Sequence, residues 1–308
     1  MRDWLRCVPT LSRKGLSIVV AFVALAACSP VTARAQGARE YLNTPVNQLI
    51  GNTEFMFTRS QSSASFADLD LPDYLTFSRL TIPYFLYSFP LNKRYAGVSV
   101  TTPFTRVRAA DGSFETTGFA DPAFAFHMNL FGLPALTKDQ IGTWDPKTFL
   151  SAHITVNPPI GSFDRNSPVN VGANRWAFSP LFNLNIPLER GVQWIEVYAS
   201  GKFYTDNDKF QGNKKLSQKP LLILTGHYSH NIGKRYWASI GANYDYGGET
   251  SINNVEQNNT ANGLRPSAAI SGKFGVIRIT VRYENTSTRE IDARRNGLVS
   301  LRVAYPLF

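Results

Sequence analysis

From Gly275 to Glu284 the side chains alternate without a break: Ile277, Ile279, Val281 and Tyr283 share one face, and Arg278, Thr280, Arg282 and Glu284 share the other. A second such row sets Val299, Leu301, Val303 and Tyr305 against Ser300, Arg302 and Ala304 before the terminal Phe308. Successive side chains of a strand point to opposite faces, whereas a helix repeats every 3.6 residues and cannot give this spacing. Both apolar rows end in an aromatic residue. A soluble sandwich also alternates, but it seldom places several arginines on the face that becomes its core, whereas a water-filled lumen accepts them. The pattern predicts an all-β chain, a transmembrane antiparallel up-and-down β-barrel with lipid on the apolar side.

About twelve candidate strands can be marked, at 52–60, 76–87, 94–105, 120–130, 147–157, 175–186, 193–204, 219–230, 235–246, 263–272, 275–284 and 297–306. Most approach the ~9–11 residues that a tilted strand needs to cross hydrocarbon. In 235–246, Tyr236, Ala238, Ile240, Ala242, Tyr244 and Tyr246 oppose Ser239, Gly241, Asn243 and Asp245; in 193–204, Ile195, Val197, Ala199 and Phe203 oppose Glu196, Ser200 and Lys202. Short turns at 90–93, 187–191, 231–234 and 272–275 alternate with long polar links at 61–75, 106–119, 158–174, 205–218, 247–262 and 285–296. With both chain ends in the periplasm, every short turn falls on the periplasmic side and every long loop outside. One link departs from the rule: 131–146 is long yet periplasmic, so it holds a short helix or the strand count is off by a hairpin.

The start of the chain reads as a leader. Arg2, Arg6, Arg13 and Lys14 precede the apolar run Leu16 to Ala27, and Ala33-Arg34-Ala35 offers small residues at a signal-peptidase spacing. That run is about a dozen residues where a spanning helix needs ~20. The expected division is a signal peptide over 1–35, a periplasmic segment over 36–50 and the barrel over 51–308. Leu25-Ala26-Ala27-Cys28 also fits a lipobox, so lipidation at Cys28 stays open beside cleavage after Ala35. Both cysteines, Cys7 and Cys28, lie in the leader, and the exported part needs no disulfide. Of 32 basic and 22 acidic residues, the leader takes five and one, leaving 27 and 21, a net +6. This mild charge is dispersed over strands and loops, and the leader carries the chain away from nucleic acid, so no nucleic-acid partner is expected. The expected setting is the outer membrane of a Gram-negative bacterium, with lipid, lipopolysaccharide, the barrel-assembly machinery and small solutes as partners.

Arg265, Arg278, Arg282 and Arg302 fall on lumen rows of the last three strands, which lie only ~4.8 Å apart. They are the candidate ligand-binding residues, a positive wall that attracts carboxylates or phosphates. The alternative is that they pair with lumen acids such as Glu196, Asp245 and Glu284 and brace the barrel. His127, His153 and His227 also face the lumen, but no metal-binding spacing links them and no carboxylate stands beside them by sequence, so neither a metal nor a catalytic centre is expected, and no cofactor. Asp206-Asn207-Asp208 lacks the glycine and the later glutamate of a calcium loop and reads as a solvated turn.

The run at 156–180 holds Pro159, Gly161, Phe163, Asp164, Asn170, Gly172, Asn174, Arg175 and Trp176. With these residues in this order it resembles the outer-membrane family named for the meta pathway of phenol degradation. Further pieces follow in order: Gly118-Phe119-Ala120-Asp121-Pro122, Thr205-Asp206-Asn207-Asp208, Gln218 with Pro220, Trp237-Ala238-Ser239, Tyr246-Gly247-Gly248 and Asn262 to Arg265. The resemblance implies a barrel that lets small compounds, often aromatic, cross the outer membrane; separately, the residue constellations lead to the expectation of no enzymatic activity. A plugged structural or surface-binding barrel is the second expectation. The chain end departs from the usual outer-membrane signature, because Leu301, Val303 and Tyr305 are out of phase with Phe308, so a bulge near Pro306 is expected.

Overall fold

The computed structural model describes residues 36–307 except 43, 61–75, 111, 113, 168 and 286–296. The leader, with its two processing alternatives, and Phe308 lie outside the described residues. The strands are β1 (Gln48–Ser60), β2 (Thr76–Leu91), β3 (Arg94–Thr101), β4 (Phe104–Ala109), β5 (Glu115–Phe119), β6 (Ala123–Phe131), β7 (Phe149–Asn157), β8 (Ala177–Leu188), β9 (Gln193–Tyr204), β10 (Asn207–Phe210), β11 (Lys214–Gln218), β12 (Leu221–Ile232), β13 (Tyr236–Gly247), β14 (Thr250–Ile252), β15 (Val255–Glu256), β16 (Ala261–Phe274), β17 (Ile277–Asn285) and β18 (Gly297–Pro306). Twelve of them, β1, β2, β3, β6, β7, β8, β9, β12, β13, β16, β17 and β18, pair antiparallel in chain order, and β1 pairs with both β2 and β18, which closes the barrel. Each matches one candidate strand of the sequence.

The outer half of two wall strands is bent. Thr102 and Pro103 separate β3 from β4, and Ala120 to Pro122 separate β5 from β6, although β2 pairs along both β3 and β4. Proline supplies no N–H to a ladder, so Pro103 and Pro122 interrupt the pairing where they stand. The edge of β5 is met by Ser162, whose backbone N–H donates to the Phe119 carbonyl at 2.7 Å while its hydroxyl accepts from the Phe119 N–H at 3.1 Å. At the chain end the β1–β18 register runs one for one through Pro306, so the expected bulge is not found among the described residues.

Burial is inverted relative to a water-soluble domain. On β13, Tyr236, Ile240, Tyr244 and Tyr246 are exposed, Ile240 at 66%, whereas Ser239, Asn243 and Asp245 are buried. On β9, Ile195 and Val197 face out and Glu196 is fully buried. Polar groups are costly to bury without partners, and large apolar side chains are costly to leave in water. This arrangement is stable only where the outside is apolar and the enclosed interior supplies polar partners. Among the described residues no helix is long and apolar enough to cross a membrane.

The anomalous link 131–146 contains a short helix, α1 (Lys138–Ile141), and the strand count stands. The link has a packing role at the short-turn end. Leu133 joins Tyr95, Phe149 and Trp194 in an apolar cluster that also takes Val46, with Leu42, Ala135 and Trp144 against it. The Val46 N–H donates to the Leu136 carbonyl at 2.8 Å and the Ala135 N–H to the Lys93 carbonyl at 3.0 Å. This floor fixes the chain just before β1 and corrects one expectation: residues 36–42 do not stand ahead of the barrel in the periplasm but run into its lumen. The physical reason is that their polar groups find buried partners there.

Candidate functional site

Alternation places Arg265, Arg278, Arg282 and Arg302 on the inner face of adjacent strands, as the spacing predicts, and the register brings carboxylates to three of them. Arg265 on β16, fully buried, reaches Asp245 on β13 with Nε at 2.6 Å and Nη2 at 2.9 Å, and also binds Glu284 on β17. Arg282 lies 3.5 Å from Glu54 on β1 and 3.6 Å from Glu284. Arg302 on β18 stands opposite Glu54, at 3.0 Å, and binds Glu40 of the lumen segment at 2.8 Å. Three guanidinium groups are thus threaded among four carboxylates, the bracing arrangement, with Glu54 and Glu40 added to the acids named from sequence. Such a network offsets desolvation because each buried charge has a partner. Arg278 differs: its Nη1 bonds the Ser271 hydroxyl at 3.2 Å.

Glu196 is held by the lumen segment and its own strand. Its carboxylate accepts the backbone N–H of Arg39 at 2.9 Å on both oxygens and the Tyr198 hydroxyl at 2.7 Å. The Arg39 side chain donates through Nε to Ser229 at 2.8 Å, bonds Asn231, and stacks over Trp237 at 5.2 Å. The Gln36 carbonyl meets His227 Nε2 at 2.8 Å. Residues 36–42 are therefore tied to β9, β12, β13 and β18 from inside the barrel.

A row of rings crosses the same space. Tyr95, His127, His153, Tyr41, Tyr198 and His227 follow one another with centroid separations of 5.5, 5.3, 4.2, 6.0 and 6.0 Å. Tyr41, from the lumen segment, joins the two histidine ends. His127 and His153 are direct partners across β6 and β7. Glycine on the neighbouring strand gives two of these rings room: a Cβ on Gly97 would come within 2.7 Å of His127, and one on Gly241 within 2.0 Å of His227. No group of three or more His, Cys, Asp or Glu suited to a metal occurs among the described residues.

At the long-loop end the residues of the quoted motifs converge. Asp121 Oδ1 accepts the Gly161 N–H and Oδ2 the Ala173 N–H, each at 2.7 Å. Asp164 and Asn170 exchange bonds at 2.7 and 2.9 Å. Arg175 donates to Gln218 at 2.5 Å and lies over Tyr204 at 4.5 Å, and Gln218 donates to the Gly248 carbonyl at 2.8 Å. Strands β10, β11, β14 and β15 form a second small sheet here, and Val169, Phe210 and Leu216 form its core. Asp206 is exposed and pairs with Lys215 at 2.6 Å, and the Lys215 bond holds its carboxyl below the usual range.

Sequence reasoning found the arginines and the lumen histidines but missed the segment 36–42, the facing of His127 on His153, and the pairing of Glu54 with Arg302. Only the last had a usable signal, because Glu54 lies on the polar row of the first strand and closure brings that strand against the last.

A family model described as "Putative MetA-pathway of phenol degradation" matches residues 66–302. No curated protein matches the chain. Among solved structures, the COG4313 outer membrane channel from Pseudomonas putida is similar with a TM-score of 0.75 and 18% identity, over 89% of this chain and 100% of that one. The β domain of the Bordetella autotransporter BrkA (TM-score 0.46, 9% identity, 84% of this chain and 98% of that one) and the transport unit of AIDA-I from Escherichia coli (0.43, 7%, 94% and 96%) share less. The likeness to the Pseudomonas protein is one of fold.

Proposed function

The chain belongs to the family described by the MetA pathway of phenol degradation, and from that premise we propose that it is a non-enzymatic outer-membrane channel for passive passage of small molecules, with aromatic or carboxylated solutes as the class. The observation that carries this reading is the inversion of burial around a closed barrel, with exposed Ile240 and Tyr244 on one face of β13 and buried Asn243 and Asp245 on the other. Lipid and lipopolysaccharide contact the outer face, and the barrel-assembly machinery inserts the chain. Solute moves down its gradient. The ring row supports aromatic solutes, since ring faces attract one another in offset or tilted geometry. The arginine ladder is balanced by carboxylates, so its field guides anions only where an acid is displaced.

A second reading, a plugged barrel without transport, is favoured by the bonds that hold residues 36–42 in the lumen. Planar-bilayer conductance separates the two. The channel reading expects ion flow through the protein or, with greater amplitude, through a variant lacking residues 37–42. Silence of both at every voltage removes it.

A further inference from the structure

Within the lumen, the chain presents its own phenol and its own carboxylate on consecutive residues. The Tyr41 ring lies between His153, at 4.2 Å and 48°, and Tyr198, at 6.0 Å and 53°. The preceding Glu40 places its carboxylate on Arg302 Nη2 at 2.8 Å. The walls of this site belong to β7, β9 and β18, whereas its occupant comes from a segment outside the barrel wall. A site that accepts a ring between two aromatic faces and an anion on a guanidinium is chemically suited to an aryl alkanoate, a ring bearing a carboxylate on a short chain.

We propose that Glu40 and Tyr41 occupy, as an internal stand-in, a lumen subsite for such aryl alkanoates, formed by His153, Tyr198 and Arg302, and that a solute entering it displaces residues 36–42 and widens the lumen. This rests on the channel reading. A ligand shifts a conformational equilibrium only by its preference for one state, and here the preference is built in, because solute and segment compete for the same three side chains. The apparent affinity is the intrinsic affinity reduced by the fraction of molecules whose subsite is vacant. Removing the stand-in must therefore tighten solute binding, the reverse of what loss of a contact residue does.

The test is calorimetric titration of the detergent-purified protein with 3-(4-hydroxyphenyl)propanoate, phenol and butyrate. Tyr41 and Glu40 lie outside the strands, so their variants leave the barrel ladder intact, and heat-modifiable migration checks this. Tyr41→Ala is expected to tighten 3-(4-hydroxyphenyl)propanoate and phenol by about tenfold or more. Glu40→Gln, which frees Arg302 from one of its two acids, is expected to tighten 3-(4-hydroxyphenyl)propanoate and butyrate but not phenol. Affinities of Tyr41→Ala within about twofold of the parent overturn the proposal, as does equal tightening of phenol by Glu40→Gln. Conductance distinguishes a failure of the premise: with both the parent protein and the variant lacking 37–42 silent and the binding pattern as expected, the subsite stands and the channel falls. With that variant conducting and no tightening, the channel stands and the subsite falls.

Discussion

Glu54 and Arg302 face each other where the last strand closes on the first, with Arg302 Nη2 3.0 Å from Glu54 Oε2. The same guanidinium holds Glu40 at 2.8 Å, and the same carboxylate lies 3.5 Å from Arg282. Closure of the barrel and retention of the lumen segment therefore share one guanidinium group. Strand closure depends on a contact between opposite ends of the chain, and a buried ion pair here favours this register over a slipped one, since a one-residue slip of β18 would turn Arg302 toward lipid and leave Glu54 buried without it.

Loss of one partner from this ladder is expected to destabilise the barrel. Arg265→Met leaves Asp245 and Glu284 buried without their shared cation, and by analogy with other broken buried pairs it costs about 3–5 kcal/mol. Glu54→Gln costs less, because Arg302 keeps Glu40 and Arg282 keeps Glu284. Urea unfolding in lipid vesicles, followed by heat-modifiable migration, reads both; equal stability of Arg265→Met and the parent would show that the ladder contributes nothing.

The strand rows were legible in the sequence because period two is a local property: Ile195, Val197 and Glu196 declare their faces without reference to any other strand. The long link 131–146 stood out by breaking the alternation of short and long connections, a break that fitted a short helix or a miscounted hairpin alike, and the helix is what the fold contains. The lumen segment was not legible. Residues 36–42 have no periodicity, and Arg39 finds Glu196 across 157 positions of sequence. The facing of His127 on His153 needs the β6–β7 register, which shifts between Asn129 and Phe131, and no spacing rule encodes that. The four arginines were placed on the correct face, but their electrostatic character depends on acids contributed by β1, β13 and the segment 36–42. A wall judged from its own strands alone looks more positive than it is.

Ile240 is the outward residue most exposed on β13, between Tyr236 and Tyr244. If that face meets hydrocarbon, Ile240→Arg destabilises the barrel in bilayers by about 2–4 kcal/mol, falling toward zero for the same change near the interface. Comparison of unfolding in vesicles with Ile240→Arg and Tyr246→Arg measures the depth dependence. A cost for Ile240→Arg no larger than that for Tyr246→Arg would place this row outside the hydrocarbon.

Asp121 ties the β5–β6 bend to two points of the loop 158–174 by charge-assisted bonds to the backbone of Gly161 and Ala173. Hydrogen bonds to a charged group contribute about 1.5–3 kcal/mol each. Asp121→Ala is expected to loosen this loop without unfolding the barrel, since Asp121 lies between β5 and β6 rather than within either. Limited proteolysis of intact cells or vesicles should cut within 158–174 faster in the variant, and unchanged cleavage would show that Asp121 does not hold the loop.

Lys215 holds Asp206 ionised below the usual carboxylate range by its bond at 2.6 Å, and the Ser217 side chain adds a second bond. A carboxyl depressed in the folded state contributes stability that is fully present above its unfolded value, about 3.9, and is lost as pH falls through the lower folded value. The pairing of β10 with β11 is thus expected to persist through mildly acidic conditions. Both groups are near the surface and screened, so the effect is small and weakens with salt. Lys215→Met should bring the Asp206 titration back toward the ordinary range, read as the carboxyl carbon shift against pH by NMR; an unmoved midpoint would remove Lys215 as the cause.

Arg278 and Arg282 occupy the same row of β17 but not the same electrostatic setting. Arg282 stands between Glu54 and Glu284, whereas Arg278 bonds the Ser271 hydroxyl. Replacing Arg282 with serine leaves two carboxylates less compensated, and replacing Arg278 removes a cation without exposing an acid partner. Both changes shift a permeating pore toward cations, Arg282→Ser the more so. A unit charge about 4 Å from an ion in water contributes about 1 kcal/mol, enough for a several-fold change in permeability ratio. Reversal potentials across a salt gradient, measured in the variant lacking residues 37–42 so that the lumen is open, give the order. If neither substitution moves the reversal potential, ions do not pass along the β17 face. If Arg278→Ser moves it further than Arg282→Ser, the carboxylates beside Arg282 are not ionised in the open lumen, and the ladder does not carry the charges assigned to it.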